Sequence, residues 1–310
     1  MLDFRPLTLE RGRELLPYYH AFCGNSCQHS FVSSFCMRRK YGDQAALRDG
    51  ALYVLRANCC DARSRVYLFP LCDLSDDAAV RRAVENVLDD ARAHGCLVRF
   101  ETILSEAAEQ LERLFPGRFA IREERDYSEY LYTYEKLALL PGHEMASKRH
   151  DLNTFERDYG GRYTVRRIET AEQLDAIRKF QAWWKAEKSL RDDEDVQLEL
   201  EDAAIRIGLE HFFELGLSGI VVAIDGHLAG YAYGAPLSET CYDVMIEKGD
   251  RTVADIYKIL NRDLVRLCCG GMTYINREED LGVPGLRKAK LSYKPDVLLR
   301  KFFAWEVRDA

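Results

Sequence analysis

Residues 241–276 read CYDVMIEKGDRTVADIYKILNRDLVRLCCGGMTYIN, a segment in which two apolar runs enclose one amphipathic stretch. The runs at 241–249 and 272–276 are short, apolar and flanked by glycines, which predicts strands. Between them, apolar residues recur at the three- and four-residue spacing of a helix that packs on a sheet. The segment therefore predicts a strand–helix–strand unit with a charged turn, 247–252, after its first strand.

The rest of the second half surrounds this unit with elements of the same kind. YTVRRI (163–168) alternates like a strand, and Thr170 with Gln173 forms a capping box at the start of a helix. Asp225-Gly226 suits the tight turn of a hairpin. The second half reads β-α-α-β-β-β-α-β-α-β.

The first half gives nearly the same order of elements from different residues. A hairpin turns near Asp49-Gly50, Ser75 caps a helix, and YSEYLYTYEKL (127–137) closes the half as VLLRKFFAWEV (297–307) closes the second. This repetition predicts two copies of one fold. The predicted ranges are an N-terminal domain at 1–140, a partly helical linker at 141–161, and a C-terminal domain at 162–310.

The element order indicates an α/β (α+β) class, with mixed, mostly antiparallel sheets flanked by helices. It is the order of the GNAT acyltransferase fold, so we predict two tandem GNAT-like domains. Because one fold hosts many activities, this similarity predicts architecture and not chemistry.

Composition limits the classes of function that remain. The net charge of −7 disfavours general attraction to nucleic acid, so such a contact would need a local basic patch. No apolar run approaches the roughly 18–20 residues of a membrane span, and the N-terminus has no signal-peptide pattern. Ten cysteines, mostly within apolar runs, fit a reducing compartment. We expect a soluble, cytoplasmic protein.

One cluster of possible metal ligands is present near the N-terminus. It consists of His20, Cys23, Cys27 and His29. The spacing matches no closed zinc pattern, and a helix flank explains it as well. No metal is predicted.

The turn after the central strand of the second half is the predicted donor site. Unpaired backbone N–H groups at a helix N-terminus hold acceptor-rich groups such as phosphates. Lys248, Gly249, Arg251 and Thr252 add cations, flexibility and a hydroxyl there, whereas the first half has three aspartates in CDLSDD (72–77). The site is therefore assigned to the second half. The alternative is an exposed turn with a Thr cap.

The residues that follow the next strand supply the predicted chemistry. Asn276 and Arg277 leave that strand beside the donor site, and a short helix then carries Ala289 and Tyr293 on one face. Acyl transfer to an amine needs an acid for the leaving group, here Tyr293, and a base for the nucleophile. The candidate bases are Glu247, Asp243 and Glu278. The alternatives are a core tyrosine and a solvated, ion-paired loop.

Two groups of cationic side chains are candidates for binding phosphates. The alternative is that each group lies on a solvated helix face. They are Lys288, Lys290, Lys294, Arg300 and Lys301 in one group, and Lys148, Arg149 and Arg157 in the other.

Three segments carry a resemblance to a known family. INREEDLGVPGLRKAKLSYKP (275–295), KRHDLNTFERDY (148–159) and NSCQHSFVSSF (25–35) resemble a bacterial family grouped with the C-terminal domain of phosphatidylglycerol lysyltransferase. The resemblance implies tandem GNAT domains similar to Fem-type transferases, which use aminoacyl-tRNA. It also implies that Lys290 and Pro295 match the lysine-containing segment before the lysyltransferases' last strand, so Lys290 joins the donor-binding set.

Together these observations predict a transferase that moves an aminoacyl group from aminoacyl-tRNA, or an acyl group from acyl-coenzyme A, to an amine or hydroxyl. The acceptor is a small molecule or a lipid headgroup, and no cofactor beyond the donor is required. The alternative from another class is a non-catalytic GNAT-fold sensor of a small ligand. A third, a structural partner protein, predicts an exposed apolar patch.

Overall fold

The computed structural model describes residues 1–189 and 196–307, which form two seven-stranded sheets flanked by helices. Most of the strand pairs in these residues are antiparallel, and each sheet also contains a parallel pair. The predicted fold class is confirmed. None of the helices in these residues combines the length and the apolar composition needed to cross a membrane.

The first sheet has the order β1-β2-β3-β4-β5-β14-β6. Its strands are β1 (Arg5–Pro6), β2 (Asp43–Arg48), β3 (Ala51–Arg56), β4 (Ser64–Leu68), β5 (Leu97–Leu104), β6 (Phe119–Glu123) and β14 (Lys301–Glu306). The helices of this part of the chain are α1 (Leu9–Phe22), α2 (Phe31–Cys36), α3 (Arg38–Tyr41), α4 (Asp77–Ala93) and α5 (Ser105–Leu114). Apolar faces of α4 and α5 join the sheet in one buried core.

The second sheet has the order β13-β7-β12-β11-β10-β9-β8. Its strands are β7 (Glu129–Thr133), β8 (Tyr163–Arg167), β9 (Ser218–Ile224), β10 (His227–Pro236), β11 (Cys241–Gly249), β12 (Tyr274–Glu279) and β13 (Val297–Leu299). The remaining helices are α6 (Tyr134–Leu139), α7 (Ala146–Tyr159), α8 (Ala171–Ser189), α9 (Val196–Glu210), α10 (Ile256–Cys268) and α11 (Pro284–Leu291).

The strands that close the two sheets differ from the prediction. The segment expected to close the first sheet contributes β7 to the second sheet and then continues as α6. The segment expected to close the second sheet divides into β13, in that sheet, and β14, which pairs with β5 and β6 of the first. Alternating apolar residues specify a half-buried strand but not its neighbours, so local pattern could not distinguish these arrangements.

The described chain divides into two compact units. The first contains Met1–Tyr130, Glu278–Lys288 and the residues from Val297 onward, and the second contains Leu131–Arg277 and Ala289–Asp296. The predicted ranges 1–140 and 162–310 treat each half as continuous, whereas these units interleave along the chain. The segment predicted as a linker, 141–161, belongs to the second unit and forms α7.

Helix starts follow local hydrogen bonding, with two differences from prediction. The capping box is present, because Thr170 Oγ1 accepts from Gln173 N and Gln173 Oε1 accepts from Thr170 N. Helix α4 is capped by Asp76 and not by Ser75, since Asp76 Oδ1 accepts two amide protons of the first turn. Helix α10 begins at Ile256, four residues after the predicted cap Thr252.

Gly234 lies at a β-bulge where two backbones approach closely. The register of β10 against β11 shifts between Tyr233 and Ala235, and a Cβ built on Gly234 would stand 1.7 Å from the backbone oxygen of Asp243. We expect Gly234→Ala to lower the free energy of unfolding by about 2–3 kcal/mol, because backbone must move to admit the methyl group. Denaturant unfolding measures this.

The matched control for that change is Gly285→Ala. A Cβ on Gly285 meets nothing within 4 Å, so the same substitution adds no clash. Equal stability of both variants and the unmodified chain would contradict the close approach at the bulge.

Candidate functional site

The second sheet separates between β11 and β12. These parallel strands pair only from Cys241–Tyr274 to Asp243–Asn276, although β11 continues to Gly249 and β12 to Glu279. Beyond the last pair, the two strands no longer share a ladder, so side chains from both can meet in the gap. The strand-end position predicted for the site is thus a physical opening in the sheet.

Glu247 and Arg277 form an ion pair from these two strands. Arg277 Nη2 lies 2.6 Å from Glu247 Oε2, and the side chains are 12% and 16% exposed. Burial by itself lowers the pKa of Arg277, but Glu247 and two nearby phenols raise it above its ordinary value. Glu247 Oε1 and Arg277 Nε are buried without a hydrogen-bond partner among the described residues. The pair therefore retains one acceptor and one donor for another molecule.

Tyr293 lies over this pair. It follows α11, its ring packs edge-to-face on Tyr132, and it is 7% exposed. The Arg277 guanidinium is 5.3 Å and Lys148 Nζ is 4.5 Å from its ring centroid. Burial raises the pKa of Tyr293, with Glu247 also raising it and Arg277 opposing. A phenol that stays protonated beside cations is suited to donate a proton to a leaving oxygen.

The predicted helix face differs in detail. Ala289 is exposed whereas Tyr293 is buried, because α11 ends at Leu291 and Tyr293 N bonds to Lys290 O in the following turn. The i, i+4 relation therefore does not place these two residues on one face. Tyr293 reaches its position through the turn.

Lys290, predicted to bind the donor, has contacts inside the unit. Its ammonium lies 2.5 Å from Arg277 O, and its own carbonyl accepts from Tyr132 Oη at 2.8 Å. The side chain is buried. These contacts tie α11 to the end of β12 and so orient Arg277.

The other predicted bases lie at different places. Asp243 and Asn276 are buried at the last paired position of β11 and β12. Glu278 has a left-handed backbone (φ 54°) and belongs to the first unit. Of the predicted catalytic residues, Glu247 and Tyr293 are therefore the ones that Arg277 brings together.

The predicted donor turn is largely satisfied by its own residues. Lys248 Nζ pairs with Glu201 at 2.8 Å, and burial lowers its pKa. Thr252 uses both its amide and its hydroxyl on Asp250 Oδ1, at 2.8 and 2.7 Å. Arg251 is exposed. The lysine and the threonine therefore already have partners within the protein, although Thr252 is exposed to solvent.

A cleft that sequence reasoning did not anticipate borders this turn. Trp183, Trp184, Lys188 and residues 250–252 line it. Trp184 donates to Gly249 O at 3.2 Å, and Lys248 Nζ lies 4.1 Å from its ring centroid. The signal in the sequence is the pair of adjacent tryptophans, Trp183 and Trp184, in α8.

The predicted cation groups are also partly internal. Lys301 is fully buried against Glu129, and Arg300 pairs with Glu123. Arg149 bonds to backbone carbonyls, whereas Lys148 faces Tyr293. The members of these groups that are exposed to solvent are Lys288, Lys294, Arg157 and Arg300.

The first unit contains a cluster whose atoms are close enough for a metal. One ligand atom each from Cys27, Glu129 and Glu279 lies within 4.8 Å of the others. However, Lys301 Nζ is 2.5 Å from Glu129, and the Cys27 amide also donates to that carboxylate. An ammonium in this position neutralises the charge that a cation would need. The donor set does not fit a metal ion.

The chain matches the family model described as "Phosphatidylglycerol lysyltransferase, C-terminal" over residues 24–305. A conserved protein of unknown function from Bacteroides thetaiotaomicron is 27% identical, with a TM-score of 0.91 over 99% of this chain and 100% of that one. L-PGS from Bacillus licheniformis is 16% identical, with a TM-score of 0.67 over 100% and 95%.

Two further similarities are more distant. A tandem GNAT protein from the clavulanic acid biosynthesis pathway is 10% identical, with a TM-score of 0.50 over the whole of both chains. An uncharacterized protein of Mycoplasmoides gallisepticum is 24% identical over 174 residues, or 56% of this chain, and the match spans about half (54%) of that protein. The structural neighbours confirm the tandem GNAT-like fold.

Proposed function

The chain belongs to the family of the phosphatidylglycerol lysyltransferase C-terminal domain, and we propose that it transfers an aminoacyl group from aminoacyl-tRNA to an amine or hydroxyl acceptor. The family and the GNAT-like fold support acyl transfer in general. The observation that carries the proposal is the Glu247–Arg277 pair beneath Tyr293, placed where β11 and β12 separate.

Each of these residues has a role in the proposed reaction. The acceptor nitrogen or oxygen attacks the ester carbonyl carbon and gives its proton to Glu247 Oε1. The tetrahedral intermediate then loses the ribose oxygen, which takes the phenolic proton of Tyr293. Arg277 holds Glu247 in place and stabilises the phenolate until it is reprotonated. The products are an amide or ester and a tRNA with a free terminal hydroxyl.

The turn after β11 favours aminoacyl-tRNA over acyl-coenzyme A as the donor in this proposal. To bind an acyl-coenzyme A, such a turn must offer hydrogen-bond donors or cations to the pyrophosphate. Here Lys248 is committed to Glu201, and Thr252 is committed to Asp250. Aminoacyl-tRNA is therefore the donor that we propose, with a small-molecule amine or a lipid headgroup as acceptor.

The first test is a thermal-shift titration with coenzyme A, acetyl-coenzyme A and a pool of aminoacyl-tRNA. A ligand at 100 times its Kd adds about 2.7 kcal/mol to the free energy of unfolding, which gives a clear shift. We expect a shift with charged tRNA and none with the coenzymes. A shift with acetyl-coenzyme A alone would mean that the donor is an acyl-coenzyme A and not aminoacyl-tRNA. No shift with any of these compounds would count against acyl transfer by this protein.

Transfer itself is tested with tRNA charged with radiolabelled amino acids. Label is followed into organic-soluble material with phosphatidylglycerol vesicles, and into small products with a pool of amine metabolites. We expect Tyr293→Phe to lower the transfer rate at least about 100-fold, because the general acid is lost. Its donor-induced thermal shift should remain.

The control is Tyr18→Phe, which removes a hydroxyl from α1 in the first unit. It should leave the transfer rate unchanged. Donor binding without any turnover by the unmodified protein would instead support the non-catalytic sensor.

A further inference from the structure

We propose that Lys148 is a catalytic residue of the same site, whose ammonium holds the negative charge that forms on the acyl carbonyl oxygen of the donor. This inference rests on the proposed function and extends it to a residue outside the predicted catalytic set. It follows from the positions and partners of the charges around Tyr293.

Lys148 approaches Tyr293 from α7. It is the third residue of that helix, and its side chain is half-buried. Its Nζ lies 4.5 Å from the centroid of the Tyr293 ring. The phenol is thus flanked by two cations, Lys148 and Arg277, from separate elements of the second unit.

The neighbouring cations already have carboxylate partners. Arg277 pairs with Glu247 at 2.6 Å, and Lys258 pairs with Asp151 at 3.1 Å and also with Asp255. Lys148, by contrast, makes no ion pair or side-chain hydrogen bond within residues 1–189 and 196–307. The three cations are balanced in number by the three carboxylates, but each carboxylate pairs with Arg277 or Lys258, so Lys148 is the cation of this group without a direct ion pair in the described part of the chain.

The surroundings of Lys148 favour an anion beside its ammonium. Burial lowers the pKa of Lys148, the nearby cations Lys258 and Arg277 lower it further, and Asp151 and Asp255 offset this only in part. A half-buried ammonium without a counterion costs free energy and adds little to folding. An anion supplied during the reaction would remove that cost.

The charge that develops in acyl transfer has the required sign. When the acceptor attacks, the carbonyl π electrons move onto the carbonyl oxygen, and they return when the bond to the ribose oxygen breaks. An ammonium above Tyr293 stabilises that oxygen while the phenol protonates the leaving oxygen. No other reactant is needed, because the proton lost by the acceptor balances the one given by Tyr293.

The test compares Lys148→Met, Lys148→Arg and Lys179→Met in the aminoacyl-tRNA transfer assay. Lys179 is an exposed lysine of α8 and controls for loss of one positive charge. We expect Lys148→Met to lower kcat about 100-fold with KM nearly unchanged, the usual effect of removing one oxyanion donor. Lys148→Arg should recover part of the rate.

Thermal melting separates a catalytic from a structural lysine. Lys148→Met should melt at the same temperature as the unmodified protein or higher, since an unpaired charge has been removed. A clear decrease would assign Lys148 to the fold and overturn the inference. So would a kcat equal to that of Lys179→Met, although the proposed function would stand. Absence of transfer by the unmodified protein with every donor would reject the proposed function itself, and this inference with it.

Discussion

Replacement of Lys301 by methionine is expected to lower the free energy of unfolding of the first unit by about 3–5 kcal/mol. Lys301 is fully buried, and its ammonium is 2.5 Å from Glu129, which is also fully buried. Methionine keeps most of the volume but leaves the carboxylate without its counterion. Ser26 and the Cys27 amide, each 2.9 Å from Glu129, cannot supply the missing positive charge. Denaturant unfolding followed by tyrosine and tryptophan fluorescence measures the change.

The neighbouring residue provides the control for this prediction. Arg300→Met removes an adjacent cation whose pair with Glu123 is exposed to solvent, so stability should be unchanged within error. Adding Glu129→Gln to Lys301→Met should restore much of the loss, because a neutral amide no longer needs a counterion. If the single Lys301 variant unfolds at the same denaturant concentration as the unmodified chain, the buried pair has no structural importance.

Arg277→Met is the second change with a large expected effect. We expect it to cost about 3–5 kcal/mol of stability, because Glu247 then keeps a carboxylate in the gap between β11 and β12 without a partner. It should also abolish transfer, since the proposed base loses its partner and Tyr293 loses one of its two neighbouring cations. Unfolding and transfer assays on the same preparation check both consequences.

A double-mutant cycle distinguishes the pair from general damage to the site. Glu247→Gln combined with Arg277→Met should be more stable than Arg277→Met alone, since the uncompensated charge is removed. The double variant should nevertheless remain inactive. Additive losses of stability would mean that the two side chains do not interact across the gap, in conflict with their 2.6 Å separation.

The candidate site shows which functional residues local sequence pattern can predict and which it cannot. Glu247 and Tyr293 could be selected because acyl transfer needs an acid and a base, and a strand end is where such groups gather. Lys148 could not be ranked above Arg149 or Arg157, because all three are cations on one predicted helix. Its importance comes from which neighbouring cations already have carboxylate partners, and that depends on contacts between residues 30 to 145 positions apart.

Lys248 and Lys301 were predicted as candidate phosphate-binding residues, but the structure places both in internal ion pairs. From residue type alone, both lysines are expected to be exposed and available to bind phosphate, since lysine is almost never fully buried unless it is paired. Their partners, Glu201 and Glu129, are 47 and 172 positions away. No spacing rule connects them, so only the folded chain converts these lysines from candidate ligand groups into internal ion pairs.

The sequence by itself determined most of the element types and their order, the repeated architecture and the family, because periodicity, caps, turns and motifs act over a few residues. The tertiary structure alone decided which sheet receives β7 and β14, which charges are neutralised internally, and which of them face Tyr293. The physical reason is that strand pairing and charge compensation are long-range: the same alternating segment or cation satisfies local rules equally well beside several different partners.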